Sequence, residues 1–248
     1  MGPHCAKDWL MCARYTSTDD IDRILDLYSL GWTKYDYGKR YNIAPTQTVP
    51  VIFDTSPDGL DGARWGLIPH WAKDEKIGST MVNAKCETLK EKPSFRGLVN
   101  KRRCLLPADG YYEWHTDTDN QQSPQRYVLK DRSTFLFAGL WDEWKNPEGI
   151  LVRTCTIITT TPNELAAKVH DRMPVLLDRE SGFRWISTNG RSGEEWRELL
   201  VPYPAEKMDC YQVSRKVNSS KVEGPDLILP DDPRRIIPRS GDLPGLFD

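Results

Sequence analysis

Three stretches, 103–114, 125–140 and 151–160, are dense in β-branched and aromatic residues and are separated by Pro and Gly. They constrain the fold more than anything else in the chain, because such residues suit a pleated, partly buried surface. Val49, Val51, Ile52 and Phe53 predict another strand over 48–54, and 63–67 a further one. Helices fall irregularly among them. Ser17-Thr18-Asp19-Asp20 supplies an N-cap and an acidic first turn, Ile21, Ile24, Leu25 and Tyr28 recur at helical spacing, and Gly31 fits the stop. Thr161-Pro162-Asn163-Glu164 reads as a capping box opening a helix toward Val169. Ser192-Gly193-Glu194-Glu195 is a second box, ahead of Trp196, Leu199 and Leu200. Many strands with scattered helices argue an α+β fold, not a doubly wound parallel sheet. From Gly224 onward five prolines and three glycines occur with almost no periodicity, which predicts a flexible, loosely attached tail over 224–248.

With 248 residues the chain is long enough to bury a core without disulfides or metal. No apolar run approaches the ~18 residues of a membrane span. The opening MGPHCAKDWL lacks the basic start and apolar run of a signal peptide. A soluble intracellular protein is expected, in the nucleus or in bacterial cytoplasm, monomeric and without a membrane partner. The six cysteines form no C-x-x-C pair, so no metal site is expected and most read as small buried hydrophobes. The net charge is −2, yet Lys85–Arg103 holds seven basic and two acidic residues. That segment is either a solvated face or an anion-binding surface.

Four segments depart from routine core sequence: Met11-Cys12-Ala13-Arg14, 82–88, 106–114 and Val169-His170-Asp171-Arg172-Met173-Pro174. They offer a thiol, an amide, a carboxylate and an imidazole, the parts of nucleophilic catalysis with acid–base help. Each also has a plainer reading. Cys12 alone is a buried thiol, Asn83 caps a turn, and His170 is an ordinary histidine after a helix. Glu113, between Tyr112 and Trp114, faces outward by alternation or is partly buried with a raised pKa. The run Trp65–Trp71 reads as core or as a platform for stacking bases.

Together these segments resemble the SRAP (SOS response-associated peptidase) family of abasic-site processing proteins, from Met11 to about Pro230. The carriers are Met11–Arg14, Asn42-Ile43-Ala44-Pro45-Thr46, Trp65–Trp71, Asn83–Thr88, Arg103–Trp114, Phe137–Trp141, Cys155–Thr160, His170–Pro174 and Val213–Asn218. The resemblance implies one domain over 11–223, mostly antiparallel sheet of barrel-like form with flanking helices. It also implies that Met11 is removed, so that Cys12 carries a free amine beside its thiol. The partner would be single-stranded DNA containing an abasic site, bound covalently as a thiazolidine, with no cofactor. Lyase-like chemistry, crosslink reversal and autoproteolytic cysteine peptidase activity come with the family. By motif, Cys12, Asn83, Glu113 and His170 are the catalytic set, and Arg14, Lys85, Trp114, Arg172, Pro45 and Trp71 contact DNA. Lys85 stands where the family usually has Arg, Cys86 replaces a small residue, and Ala13 replaces Gly. Residues 1–10 are expected to lie upstream of the true start or to be removed. The rival readings are a non-covalent reader of modified DNA bases and a thiol amidohydrolase or peptidase using Cys12, Glu113 and His170.

Overall fold

Arg103–Ala108 is buried at every position, and Phe135–Lys145 at all but its last few. Strands covered on one face alternate, whereas these are covered on both, which is why they read as continuous apolar runs. The structure, a computed structural model, describes residues 13–35, 38–116, 121–187, 195–232 and 234. Its strands are β1 (Tyr15–Ser17), β2 (Trp32–Thr33), β3 (Arg40–Ile43), β4 (Thr48–Phe53), β5 (Ser56–Trp65), β6 (Asn83–Lys85) and β7 (Arg103–Ala108). They continue as β8 (Gly110–Thr116), β9 (Gln122–Leu129), β10 (Phe135–Lys145), β11 (Leu151–Thr160), β12 (Met173–Pro174), β13 (Leu176–Leu177) and β14 (Met208–Gln212). The α-helices are α1 (Ile21–Tyr28), α2 (Pro93–Arg96) and α3 (Arg179–Ile186).

One sheet runs β14-β9-β8-β1-β3, and the other runs β12-β11-β10-β7-β4-β5-β2. In the second, β11 also pairs in parallel with β5, Thr154 and Cys155 lying opposite Arg64 and Trp65. That pairing closes β5, β4, β7, β10 and β11 into a ring, so the barrel-like α+β architecture expected from the sequence is present. Successive residues on these strands go to different cores. Ile52, Leu105, Leu136 and Ala138 pack with Ile24, Tyr28 and Trp185 of the helices. Val51, Phe53, Cys104, Leu106 and Phe137 pack with Tyr15, Tyr111 and Tyr127 of the five-stranded sheet. Cys104 and Cys155 are buried in that second core, while Cys86 and Cys210 are partly exposed. Among the described residues no helix is long and apolar enough to cross a membrane.

Several local expectations are corrected. The stretch 103–114 is two strands in different sheets, separated at Asp109. Helix α1 starts as expected but stops at Ser29 in left-handed conformation, two residues before Gly31. The helix expected after Thr161 is only a 3-10 turn over Ala166–Lys168. Thr160 already pairs with Met173, so the chain must leave and return within a dozen residues, and Asn163 Oδ1 caps that short turn at the Leu165 and Ala166 amides. Of the second capping box, residues 192–194 lie outside the described residues, and Glu195–Leu199 is 3-10 helix. The tail expected to begin at Gly224 starts instead with a docked segment. Leu227 is fully buried beside Tyr112, Val213 and Val217, and the Tyr211 hydroxyl donates to Ile228 O at 2.9 Å.

Candidate functional site

The site is built from the edge of β1 upward. Tyr15 and Thr16 lie opposite Tyr111 and Gly110 of β8, and the Tyr112 amide donates to Arg14 O at 2.9 Å. That bond sets Arg14 beside Tyr112, the residue before Glu113. Cys12, the expected nucleophile, lies outside the described residues, as do residues 1–10. Glu113 is buried, at 5 % exposure, in the strand that also carries Tyr112 and Trp114.

Arg14 is fixed on the same rim. Its Nη1 donates to Asn42 Oδ1 at 2.7 Å and Val217 O at 2.8 Å, and its guanidinium carbon lies 5.7 Å from the Trp114 ring centre. Burial pushes the Arg14 guanidinium below its ordinary pKa, with Tyr112 and Glu223 pulling the other way. Trp114 is held by its own indole N–H, which donates to Asn218 Oδ1 at 2.7 Å. Asn42, which sequence reasoning passed over, is the hub. Fully buried, it accepts from Arg14 while its Nδ2 donates to Ser219 O and Val222 O at 2.9 Å. Its only signal was an amide inside an otherwise apolar motif.

Pro45 is in the turn that leads out of β3. The Thr46 amide donates to Trp65 O at 2.7 Å, and Thr46 itself has φ 72 although it is β-branched. Trp65 ties this turn to the next element. Its ring lies edge-on to Tyr15 at 5.2 Å, and its Nε1 donates to Val82 O at 2.9 Å, immediately before Asn83. Asn83, Ala84 and Lys85 then pair in parallel with Ile157, Ile158 and Thr159 of β11. Asn83 is half-buried and Lys85 exposed. Trp71 stands on the excursion between β5 and β6 and is 52 % exposed.

The far wall holds the histidine. Nδ1 of His170 lies 3.1 Å from the Arg172 amide and 2.9 Å from Asp171 Oδ1. An unprotonated Nδ1 serves the first contact and a protonated one the second, so the pair of contacts accommodates both forms of the ring. Arg172, expected at a flanking phosphate, is instead buried. It grips Glu87 with both terminal nitrogens at 2.7 and 2.9 Å and donates to Thr159 O at 2.7 Å. The Arg172 hydrogen bonds hold Glu87 below its ordinary pKa, whereas burial pushes the neighbouring Cys86 thiol up. The basic stretch is also thinner than its composition suggests. Arg103 turns inward over the Trp185 ring, and Arg102 lies over Trp141.

The Tyr15–Trp65–Val82 contacts thus connect the Arg14, Asn42, Glu113 and Trp114 rim to Asn83, and β6 connects Asn83 to the His170 wall through Thr159. The SOS response associated peptidase (SRAP) family model matches residues 11–220. The chain is 45% identical over 221 residues to the abasic site processing protein YoqW of Bacillus subtilis, covering 88% of this chain and 99% of that one. It is 28% identical over 235 residues to the abasic site processing protein HMCES of Rattus norvegicus, covering 79% of this chain and 66% of that one. Among solved structures, a protein from Bacteroides thetaiotaomicron superposes with a TM-score of 0.81 at 28% identity, over 88% of this chain and 99% of that chain.

Proposed function

Because this chain belongs to the SRAP family, we propose that it processes abasic sites in single-stranded DNA by forming a covalent thiazolidine through Cys12. The reading rests on the Tyr112 amide bond to Arg14 O, which sets the segment that follows Cys12 beside the strand carrying the buried Glu113.

The chemistry needs an N-terminal cysteine. An abasic deoxyribose opens to an aldehyde, and the Cys12 α-amine adds to its carbon and expels water to give an imine. The thiol then adds across the C=N bond, its sulfur to carbon and a proton to nitrogen, which closes a five-membered ring. An α-amine titrates near 8, so part of it is free to attack at neutral pH, whereas a lysine near 10 is almost wholly protonated. Glu113 serves as the acid and base for ring opening and for loss of water, in a pocket dry enough to make that transfer count. His170 moves the proton at the sugar, helped by an Nδ1 that has a partner in either state. Asn83 orients the sugar. Arg14 and Lys85 bind the flanking phosphates, Lys85 as a point charge without the bidentate fork of an arginine. Trp114, Pro45 and Trp71 line the path of the bases. Arg172 braces His170 and the β11 edge through Glu87.

The test uses protein begun at Met11, incubated with a single-stranded oligonucleotide carrying one abasic site and run on a denaturing gel after heating. A heat-stable shifted band that Cys12→Ala abolishes is expected. A band that persists in Cys12→Ala would falsify the assignment, and no band from folded protein lacking Met11 would leave non-covalent binding as the function.

A further inference from the structure

We propose that His70 is a further contact for single-stranded DNA, gripping a backbone phosphate through Nε2, with Asp142 as its positioning residue. The inference rests on the DNA-binding reading above and adds His70 and Asp142, which that reading does not use.

The observations lie at the tip of the excursion between β5 and β6. Asp142 of β10 is almost fully buried, its side chain 3% exposed. Its Oδ2 accepts from both the His70 amide and the His70 ring at 2.9 Å. The imidazole itself is 67% exposed. Since Nδ1 is the edge turned to the carboxylate, Nε2 is the edge left for solvent. A buried carboxylate that served only to hold the turn would need the backbone bond alone. The second bond freezes an exposed side chain, at a cost in rotamer freedom that has no return in the free protein.

The platform under the ring is rigid. The Ala72 amide closes the turn onto Pro69 O at 2.8 Å, and Trp144 Nε1 donates to Ala72 O at 2.7 Å. The Ile68 amide donates to Thr154 Oγ1 at 2.9 Å. At the base of the excursion, a Cβ on Gly66 would lie 2.5 Å from Gly78 O, so the two backbones touch directly there. The neighbour of His70 at this tip is Trp71, more than half exposed. An aromatic face beside a fixed hydrogen-bonding edge is the pairing that single-strand binders use, the base stacking while its phosphate is gripped. The cation that faces this point is Arg102, set against the carboxylates of Asp142 and Glu143. Arg102 Nε is 3.8 Å from Asp142 Oδ1, and Arg102 also pairs with Glu143 at 3.6 Å. A phosphate at Nε2 takes up the ring edge opposite the one turned to Asp142.

The experiment measures binding of a single-stranded oligonucleotide carrying a tetrahydrofuran abasic analogue, which has no aldehyde and so cannot crosslink. Protein begun at Met11 is compared with His70→Ala, His70→Lys, Asp142→Asn and the double variant H70A/D142N, each checked by thermal melting. His70→Ala is expected to weaken binding about fivefold and to lower the salt slope by about 0.7, the value for one phosphate on a single strand. His70→Lys should restore most of the loss. The double variant should bind no more weakly than His70→Ala, because Asp142 acts through that ring. Wild-type affinity in His70→Ala overturns the proposal, as does a further loss when D142N is added to H70A. If the wild-type protein does not bind the oligonucleotide at all, the DNA reading itself falls, and the aldehyde-dependent gel assay distinguishes the two failures.

Discussion

Arg172 holds Glu87 in a two-point grip, Nη1 to Oε1 at 2.7 Å and Nη2 to Oε2 at 2.9 Å, while its own amide donates to Nδ1 of His170. One residue therefore joins the β6 edge to the histidine. Glu87→Gln keeps the shape and removes the charge, and leaves a mostly buried guanidinium with a weaker partner. With the Glu87 side chain nearly half exposed and screened by solvent, the expected result is a loss of about 0.5–1 kcal/mol of stability near neutral pH and slower formation of the abasic-site adduct as His170 loses its brace. The pH dependence follows from the lowered Glu87 pKa. A carboxylate whose pKa is depressed on folding contributes stability that is complete above the unfolded value, about 4.3, and is lost as pH falls through the folded one. Denaturant melts of wild type and Glu87→Gln should thus differ at pH 7 and converge only once pH has fallen below the lowered folded pKa of Glu87. A constant difference across that range would mean the charge is not what matters.

Thr46 carries backbone strain. Its φ of 72 is left-handed, where a β-branched side chain crowds its own carbonyl, yet its amide donates to Trp65 O and the Trp65 amide donates to Gln47 O. Thr46→Gly should stabilise the protein by about 0.5–1 kcal/mol, the relief of strain exceeding the added freedom of the unfolded chain. A raised Tm is the expected observation. A lowered one would show that the threonine side chain makes a contribution larger than the strain it causes.

Asn42 accepts from Arg14 and donates to Val217 O, Ser219 O and Val222 O. Asn42→Ala deprives Arg14 Nη1 of one acceptor and removes the Asn42 donor from Val222 O, while Ser219 O keeps the Val222 amide. One partly buried carbonyl loses its donor and Arg14 loses one acceptor, so the variant should lose about 1–3 kcal/mol. The loss should be local at first. Amide exchange over 217–222 is expected to accelerate well before the barrel amides do, and DNA affinity should fall because Arg14 is no longer aimed. Uniform acceleration across the molecule would contradict the role of Asn42 as a local clamp.

How much of this was legible beforehand depended on what kind of signal each residue carries. The strands over 48–53 and 151–160 could be read because β-branched runs mark sheet wherever they occur. The ring could not, since it depends on Thr154 and Cys155 pairing with Arg64 and Trp65 far away in the chain. The helix after Thr161 has a sound capping box but is overruled by the short return to Met173, a tertiary constraint that propensity cannot express. Glu113 was undecided because alternation assumes one wet face, and β8 is covered on both sides for its first four residues. Arg172 was taken as a phosphate ligand because an arginine in a functional motif looks free until its partner is seen. Glu87 lies 85 positions away in sequence, so no local pattern announces the pair.

The start of the tail gives the last prediction. Composition marks everything from Gly224 as loose, and the five prolines and absent periodicity justify that as an average. One residue overrides the average. Leu227 is fully buried against Tyr112, Val213 and Val217, on the 3-10 turn Pro225–Ile228, and Lys216 pairs with Asp226 at 3.0 Å beside it. Val213 and Pro230 form a bridge that closes the segment over this small core. The same core underlies Trp114, whose indole bonds Asn218, and Asn218 follows Val217 directly. Leu227→Ala should cost about 2–4 kcal/mol, the usual range for a buried leucine, and should loosen the Trp114 support along with it. Protein ended at Glu223 should lose at least as much, whereas a surface substitution such as Lys221→Ala in the same region should be nearly neutral. Urea melts compare the stabilities, and the fluorescence of Trp114 reports the support. Wild-type stability in protein ended at Glu223 would show that Leu227 fills a surface dent and that the domain closes before it.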